Sequence, residues 1–313
     1  MKPARLIGLL LMGAGISGLY LFWGEPSALI LWQVRLPRML LTLLTGMVLG
    51  GVGSVYQLML ANPLAEPYIL GISSGSAFGS ILMGVLELSL LMPLGGFAGA
   101  MLTMVLVWGL AGKGGSFEKG RLLIGGVIAG MFFASGISLL MYLFHEDTII
   151  ILGTLMGNLG RIFSFGEWRV FLGLSVIGVA ILYWLYRQST TLDLVSSGDI
   201  YAGSVGIDVA VLRKRVFVLS SILIGIVVSY AGIIGFVGLI VPHVARYYMG
   251  SSQKRVYPLS LFMGAFFLLA CDLLSQHITV LELPVGVITA AIGCPFFMWL
   301  MLRGGKSARG TSF

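Results

Sequence analysis

The amino-acid sequence predicts an all-α, polytopic membrane protein with about ten transmembrane helices. Three observations predict this fold class: the composition, the length of the apolar runs and the placement of the cations. Of the 313 residues, 58% are hydrophobic and 10% are charged, whereas an ordinary soluble domain has roughly 25% charged residues. This is too little charge to cover a water-soluble globule of that size, so most of the surface must face lipid.

The apolar runs have the length of membrane spans, because a helix needs about 20 residues to cross the hydrocarbon core. The first run follows Lys2 and Arg5 and could instead be a signal peptide, although it is long and lacks a clear cleavage site. We expect the spans at about residues 6–23, 37–60, 68–86, 88–111, 122–144, 168–186, 216–230, 234–249, 257–274 and 284–302.

Glycine is frequent, with 45 residues, although a glycine in a helix interior costs stability in water. Between membrane helices, small residues let two backbones approach closely, and this packing replaces the missing hydrophobic drive. A spacing of four residues therefore predicts tight helix packing for the whole set of Gly46/Gly50, Gly71/Gly75/Gly79, Gly95/Gly99 and Gly126/Gly130.

The cations sort to one side of the predicted spans. If the N-terminus is cytoplasmic, four of the 19 Lys and Arg residues lie outside: Arg35, Arg38, Arg161 and Arg169. The other fifteen lie inside: Lys2, Arg5, Lys113, Lys119, Arg121, Arg187, Arg213, Lys214, Arg215, Arg246, Lys254, Arg255, Arg303, Lys306 and Arg309. Because cytoplasmic loops carry the excess of Lys and Arg, this asymmetry predicts two cytoplasmic termini and an even number of spans.

The segment between Arg215 and Arg246 is too short for two full crossings. Both arginines belong to the inside group, yet only 30 residues separate them, and two spans need about 40. At least one crossing must be short, broken or re-entrant, and residues 229–235 are the natural break. Interrupted helices at membrane depth are tolerated where they are buried in protein or line a cavity, so we expect residues 230–246 near a pathway.

Two segments between the predicted spans are long enough to have a role of their own. Both belong to the single domain predicted over residues 1–313. Residues 187–215 lie inside and are polar. Residues 145–167 lie outside, with acidic residues at both ends and an apolar middle. We expect this apolar part to lie along the membrane surface.

The sequence shows no residue set for catalysis, metal binding or a cofactor. An intramembrane enzyme needs a paired Asp, a nucleophile with its base, or a zinc-binding helix, and none of these is present. His243 stands alone, and Cys271 and Cys294 stand far apart inside apolar runs. Residues 304–307 faintly resemble the end of a P-loop, but Leu300 occupies the place of its first glycine. No nucleotide site is predicted.

Several strings, in order along nearly the whole chain, resemble the permeases of type II ABC importers, the FecCD-like family for iron siderophores, haem and vitamin B12. The strings are Arg-Leu-Pro-Arg at 35–38, Asn-Pro-Leu-Ala-Glu-Pro at 62–67, Leu-Gly-Ile-Ser-Ser-Gly at 70–75, Gly-Phe-Val-Gly-Leu-Ile-Val-Pro-His at 235–243, Glu-Leu-Pro-Val-Gly-Val at 282–287 and Pro-Phe-Phe-Met-Trp-Leu at 295–300.

The resemblance implies the type II permease fold in a bacterial inner membrane. It implies a homodimer or a pair of permeases with ten helices each, and a translocation path along the dimer axis. Two ATPase subunits would bind the cytoplasmic face, and a substrate-binding protein would bind the outer face. The short eighth helix of the family would resolve the strain between Arg215 and Arg246.

The resemblance also implies two partner sites. On the outer face, Arg35 and Arg38 match an Arg-x-x-Arg motif that receives carboxylates of the binding protein, and arginine forks bind carboxylates bidentately. The alternative is that both arginines are interfacial anchors. A further outer arginine of many relatives is not matched, because Ser275 and Gln276 stand in its neighbourhood.

On the cytoplasmic face, the resemblance implies a coupling segment of short helices that sits in a cleft of the ATPase. Asp199 is placed to cap such a helix, and small neighbours allow the close approach of another protein. The candidate coupling residues are Gly198, Asp199, Ala202, Gly203, Val205 and Gly206. The candidate gate and pathway residues are Lys119 and Gly120, in the turn between the fourth and fifth spans, with Gly235 and Pro242.

The predicted function is therefore the permease of an ATP-driven importer that is not itself an enzyme. The alternative is an ion-coupled carrier working without an ATPase, which usually needs charges in mid-span. Asp272 and Glu282 flank the last outer loop and are interpreted as interfacial charges. The sequence does not separate siderophore, haem and vitamin B12, although residues 71–75 look slightly more like the iron-chelate branch.

Overall fold

The computed structural model describes residues 3–24, 26–111, 119–279 and 281–307, and every regular element within them is helical. A π-helical turn, Leu31–Arg35, leads into the third helix, and 3₁₀ turns occupy Pro67–Leu70, Ser89–Leu91 and His145–Asp147. The α-helices are α1 Pro3–Phe22, α2 Ala28–Ile30, α3 Leu36–Met59, α4 Ile72–Val85, α5 Met92–Ala111, α6 Lys119–Leu143, α7 Thr148–Met156, α8 Phe165–Arg187, α9 Ser189–Ser196, α10 Asp199–Ser204, α11 Val209–Ala231, α12 Val237–Met249, α13 Gln253–His277 and α14 Val285–Ser307.

Each of the ten predicted runs contains a helix: α1, α3, α4, α5, α6, α8, α11, α12, α13 and α14. Among the described residues, five helical stretches are long and apolar enough to cross a membrane: Ala28–Met59, Ser89–Ala111, Gly120–Leu143, Gly166–Arg187 and Gln253–His277. Three shorter apolar helices accompany them. The polytopic, all-α class is confirmed, and the number of ten spans stays a prediction.

Helix α3 forms the centre of the bundle. In its most apolar window 83% of the residues are buried inside the protein, compared with 33% in α5, 33% in α6 and 28% in α8. The outer helices expose large apolar side chains, including Met131 and Phe132 of α6 at 67% each. Because these side chains gain nothing from water, we infer that α5, α6 and α8 present the apolar surface for lipid or a second membrane subunit.

The predicted glycine packing is confirmed by backbone contacts between helices. A Cβ atom added to Gly46 of α3 would lie 2.2 Å from the carbonyl oxygen of Gly264 in α13. A Cβ atom on Gly79 of α4 would lie 2.0 Å from the carbonyl oxygen of Gly95 in α5. No side chain can occupy such a position without moving a backbone, so these helices are in direct backbone contact.

Helices α11 and α12 show the predicted break. α11 ends at Ala231 and α12 begins at Val237, and both Gly232 (φ 70°) and Phe236 (φ 69°) adopt left-handed backbone angles between them. α12 has 13 residues, or about 20 Å at 1.5 Å per residue, which is shorter than the roughly 30 Å of a hydrocarbon core. The segment between Arg215 and Arg246 is too short for two full spans, and the structure accommodates this because α12 is a short helix.

The two segments between spans fold into further short helices. Residues 187–215 hold α9 and α10, and the apolar side chains of Leu192, Val195 and Ala202 are buried against the bundle. In residues 145–167, α7 packs through Ile151 against a cluster that includes Ile81 of α4. Both segments are thus docked onto the bundle.

We predict that Gly46→Ala destabilises the protein by about 1–3 kcal/mol, because overpacking must push α3 and α13 apart. The matched control is Gly173→Ala in α8, where no atom lies within 4 Å of the added Cβ, and its effect should be neutral or slightly stabilising. The midpoint of thermal unfolding of the detergent-solubilised protein measures both. Equal midpoints for the two variants would contradict backbone contact at Gly46.

Candidate functional site

The break between α11 and α12 is held on one side by the last turn of α7 and the segment that follows it. The N–H of Asn158 donates to the carbonyl oxygen of Ala231 at 2.9 Å, and the N–H of Ile233 donates to that of Thr154 at 3.1 Å. Unpaired backbone groups away from water are costly. These two bonds therefore satisfy groups that the end of α11 leaves open.

The other side of the break is held by the loop between α3 and α4. The N–H of Phe236 donates to a carboxylate oxygen of Glu66 at 2.5 Å, and the N–H of Ile234 donates to the hydroxyl of Tyr68 at 3.1 Å. The side chain of Glu66 thus supplies an acceptor at the N-terminus of α12, where the first N–H groups have no partner within the helix. The contact between Glu66 and Phe236 was not predicted from the sequence.

Pro242 lies inside α12 and is buried. A proline has no N–H, so the carbonyl of the residue four positions earlier, Gly238, loses its helical donor. The side-chain amide of Gln57 in α3 replaces it, lying 3.4 Å from the Gly238 oxygen and 3.3 Å from the Leu239 oxygen. Gly235 is half-buried in the break itself. Both predicted pathway residues therefore lie where the helix is interrupted.

The predicted gate is only partly described. Residues 112–118, which form most of the turn between α5 and α6, lie outside the described residues. Lys119 begins α6, and Gly120 follows it in the first turn, exposed and with no atom within 4 Å of its Cβ position. Their gate role stays a prediction.

Arg38 is buried at the start of α3 rather than exposed, with 7% of its surface accessible. Its Nε and Nη2 atoms donate to the two carboxylate oxygens of Asp272 at 3.0 and 2.8 Å. Its Nη1 atom donates to Glu282 at 2.8 Å. The interpretation of Asp272 as an interfacial charge is wrong, because Asp272 is fully buried and balances the charge of Arg38. Glu282, with 57% of its side chain exposed, lies at the rim.

The remaining acceptor capacity of Asp272 is used by a side chain of α1 and by one of its own helix, α13. The hydroxyl of Tyr20 in α1 donates to Asp272 at 2.5 Å, and the amide of Gln276 donates to it at 3.1 Å. Gln276, which stands in the neighbourhood where the resemblance implied a further outer arginine, thus bonds inward. A buried ion pair must be fully hydrogen-bonded to offset its desolvation, and this cluster joins α1, α3 and α13.

Arg35 lies one turn before Arg38 and is half-buried. Its Nη1 atom donates to the carbonyl oxygen of Leu21 at 2.9 Å, close to the end of α1. A cavity of about 290 Å³ lies beside Arg38. It is lined by Arg38, Asn158, Gly160, Asp272, Ser275 and Glu282, among others. The residues that line this cavity come from segments predicted on the outer side of the membrane, and the structure brings them together. We call this end of the bundle the Arg38 face.

The opposite end of the bundle, which we call the Asp199 face, carries α9 and α10. Gly198 precedes the first turn of α10 with φ 131°, so Asp199 is the first helical residue and not the cap. Its carboxylate instead accepts a hydrogen bond from Arg213 of α11 at 2.5 Å. This ion pair attaches α10 to the base of α11.

The coupling residues divide between the inner and outer surfaces of α10. Ala202 is fully buried, whereas no atom lies within 4 Å of the Cβ positions of Gly198, Gly203 and Gly206. Val205 is 53% exposed. Ile200 and Tyr201, which were not predicted, are 92% and 53% exposed. No sequence pattern marks these two residues, because their exposure depends on how α10 is docked onto the bundle. Together these residues form an uncovered apolar surface.

The geometry defines a polytopic, all-α membrane protein with a broken helix inside the bundle and an exposed apolar surface on α10. The chain matches the FecCD transport family over residues 6–303 and belongs to that family. The resemblance drawn from the ordered strings is thereby confirmed.

Named relatives agree with this family. The chain is 34% identical over 277 residues to the "Probable iron chelatin transport system permease protein" of Helicobacter pylori, covering 88% of this chain and 83% of that protein. It is 32% identical over 293 residues to the vitamin B12 import system permease protein BtuC of Vibrio cholerae, covering 91% and 86%. These relatives are named as transport permeases, and the present chain is a permease of the same family.

A solved structure shares the fold at high similarity. It is described as a metal-chelate type ABC transporter in an inward-facing conformation, and it has a TM-score of 0.85 and 30% sequence identity. The match covers 96% of this chain and the whole of the other. PsaBC from Streptococcus pneumoniae, at a TM-score of 0.58 and 19% identity, shares only the general fold.

We predict that Asp272→Asn destabilises the protein by about 3–5 kcal/mol, because it leaves Arg38 buried and unbalanced. The double variant Arg38→Met/Asp272→Leu removes both charges and should recover most of that loss. Glu282→Gln, at the exposed rim, is the control and should cost no more than about 1 kcal/mol. Thermal unfolding in detergent measures all three, and a double variant less stable than Asp272→Asn would contradict the assigned pair.

Proposed function

We propose that the chain is the transmembrane permease of an ATP-driven importer that carries an iron chelate, either a siderophore complex or haem, or vitamin B12. Relatives named as an iron chelatin permease and as vitamin B12 permeases support the iron-chelate and vitamin B12 parts of this range. The observation that carries the proposal is the apolar surface of α10, with Ile200 at 92% exposure, beside residues predicted to face the cytoplasm. A permease whose sequence predicts no nucleotide site needs such a surface for a motor protein.

The proposed assembly contains two copies of the permease, or a pair of related permeases, with two ATPase subunits against the Asp199 face. A substrate-binding protein docks on the Arg38 face. ATP binding closes the ATPase pair and moves α9 and α10, which shifts the helices between outward-open and inward-open states. The chain acts in the bacterial inner membrane as one domain with cytoplasmic termini.

An assay in proteoliposomes tests the function. The permease is reconstituted with its partner ATPase and binding protein, and uptake of iron-labelled ferrichrome, haemin and cyanocobalamin is compared. We expect ATP-dependent uptake of one of these probes, and its loss when the ATPase carries a nucleotide-binding substitution. Uptake that persists on a proton gradient without ATP would instead support the ion-coupled carrier.

The docking site on the Arg38 face requires two different roles for its arginines. Arg35 is half-buried and bonds only the Leu21 carbonyl among the described contacts, so its guanidinium can still receive a partner carboxylate. Arg38 reaches the rim only through Nη1, beside the cavity and Glu282. A carboxylate of the binding protein would have to replace Glu282 there.

We predict that Arg35→Glu weakens docking of the binding protein at least about tenfold, because a repulsive charge replaces a charge-assisted hydrogen bond. Arg169→Glu, the same charge change at an exposed position on the same side, is the matched control. Binding to the permease–ATPase complex in nanodiscs is measured at two salt concentrations. Equal losses in both variants would mean that only the net charge of this face matters, and no loss at Arg35 would remove it from the site.

We further predict that the Asp199 face is cytoplasmic. In a background carrying Cys294→Ala, Ser89→Cys and Ser197→Cys introduce exposed thiols at opposite ends of the bundle. A membrane-impermeant thiol reagent should label Ser89→Cys in spheroplasts, and should label Ser197→Cys only after the membrane is opened. Because a charged reagent cannot cross the hydrocarbon core, the reverse pattern would place α10 outside and would exclude a cytoplasmic motor.

A further inference from the structure

We propose that a hydrogen-bond chain through the buried Gln253 and Ser54 and the half-buried Arg246 transmits movement of the coupling segment to the broken helix α12. The proposal rests on the function proposed above and adds the positioning residues that such coupling needs. The chain begins at α9, passes through the first turn of α13 and the last turns of α3, and ends on α12.

The first link joins α9 to α13. The carboxylate of Asp193 in α9 accepts the backbone N–H of Gln253 with both oxygens, at 2.9 and 3.0 Å. Ser252 precedes α13 but provides no side-chain cap. The first N–H groups of a helix have no partner within it, so a residue of α9 caps α13. Any displacement of α9 therefore acts directly on the start of α13.

The second link joins α13 to α3 through a buried glutamine. The side chain of Gln253 is fully buried, and its Nε2 atom donates to the hydroxyl of Ser54 at 2.9 Å. Its Oε1 atom has no hydrogen-bond partner among the described residues. A buried amide that is half satisfied costs stability relative to an apolar side chain of similar size. Stability alone does not explain a glutamine here, whereas a connection between helices does.

The third link joins α3 to α12. The backbone carbonyl of Ser54 accepts Nη2 of Arg246 at 3.0 Å, and Nη1 of Arg246 donates to the side-chain oxygen of Gln57. Gln57 in turn faces the carbonyl of Gly238 that Pro242 leaves without a helical donor. The same few residues of α3 thus hold α12 both at its last turn and at its proline.

The geometry explains why α12 is the element that responds. Its first turn is fixed from the other side, where Glu66 accepts the N–H of Phe236, and five residues outside any helix separate it from α11. A shift that α9 transmits through Ser54 and Arg246 is therefore taken up in residues 232–236. These are the residues next to the predicted pathway.

The test separates transmission from folding. Gln253→Leu roughly keeps the volume and keeps the backbone cap but removes the bond to Ser54. Ser54→Ala removes the same bond from the other partner, together with the bond from the Ser54 hydroxyl to the carbonyl of Gly51. Ser260→Ala is the matched control, because Ser260 is also fully buried in the α3–α13 contact region but its hydroxyl has no hydrogen-bond partner among the described residues. The full complex is assayed in proteoliposomes with the ferrichrome, haemin and cyanocobalamin panel and with ATP hydrolysis measured in parallel.

We expect uptake per ATP hydrolysed to fall about tenfold in Gln253→Leu and Ser54→Ala, the scale of one or two lost hydrogen bonds. The double variant should fall no further, because both changes break one link. ATPase assembly and basal hydrolysis should stay at the wild-type level, and Ser260→Ala should keep the wild-type ratio.

Three outcomes would overturn the transmission chain: an unchanged ratio in both single variants, an additive loss in the double variant, or an equal loss in Ser260→Ala. A parallel fall of uptake and hydrolysis, which leaves the ratio unchanged, belongs to the first outcome and indicates impaired folding. If instead the wild-type complex shows no ATP-driven uptake, the proposed function itself fails. The two failures are therefore distinguishable.

Discussion

Every backbone N–H and C=O group held inside this bundle must find a partner in the protein, because lipid offers none. That requirement determines the structure around residues 232–236. Two distant segments donate or accept the bonds that a continuous helix would have made for itself. Gln57 does the same for the carbonyl that Pro242 deprives of its donor. The break between α11 and α12 therefore requires specific hydrogen-bond partners in the neighbouring segments.

The charged residues inside the bundle follow a related rule. Arg38 and Asp272 are buried together and share a two-point contact, since neither would be tolerated there alone. This changes the meaning of the Arg-x-x-Arg string. Arg35 lies nearer the surface, whereas Arg38 joins α3 to Asp272 of α13, which also binds Tyr20 of α1. Arg38 reaches the surface only through Glu282.

Much of the fold could be predicted from the sequence, because apolar length, cation placement and glycine spacing are local signals. The broken helix followed from counting residues between Arg215 and Arg246. The contacts that complete the site could not be predicted in that way. Arg38 and Asp272 are 234 positions apart, and Glu66 and Phe236 are 170 apart, so no local pattern links them. The exposure of Ile200 depends likewise on how α10 is docked.

The backbone contact between α3 and α13 has a mechanical consequence. The carbonyl of Gly264 occupies the place that a side chain would take at Gly46. No side chain lies between the two backbones at that point, so a change of rotamer cannot relieve a force between the helices. The two helices therefore behave as one stiff strut, which can tilt but can hardly bend or separate. Bending should then occur where the backbone lacks helical hydrogen bonds. In the centre of this protein these are residues 232–236.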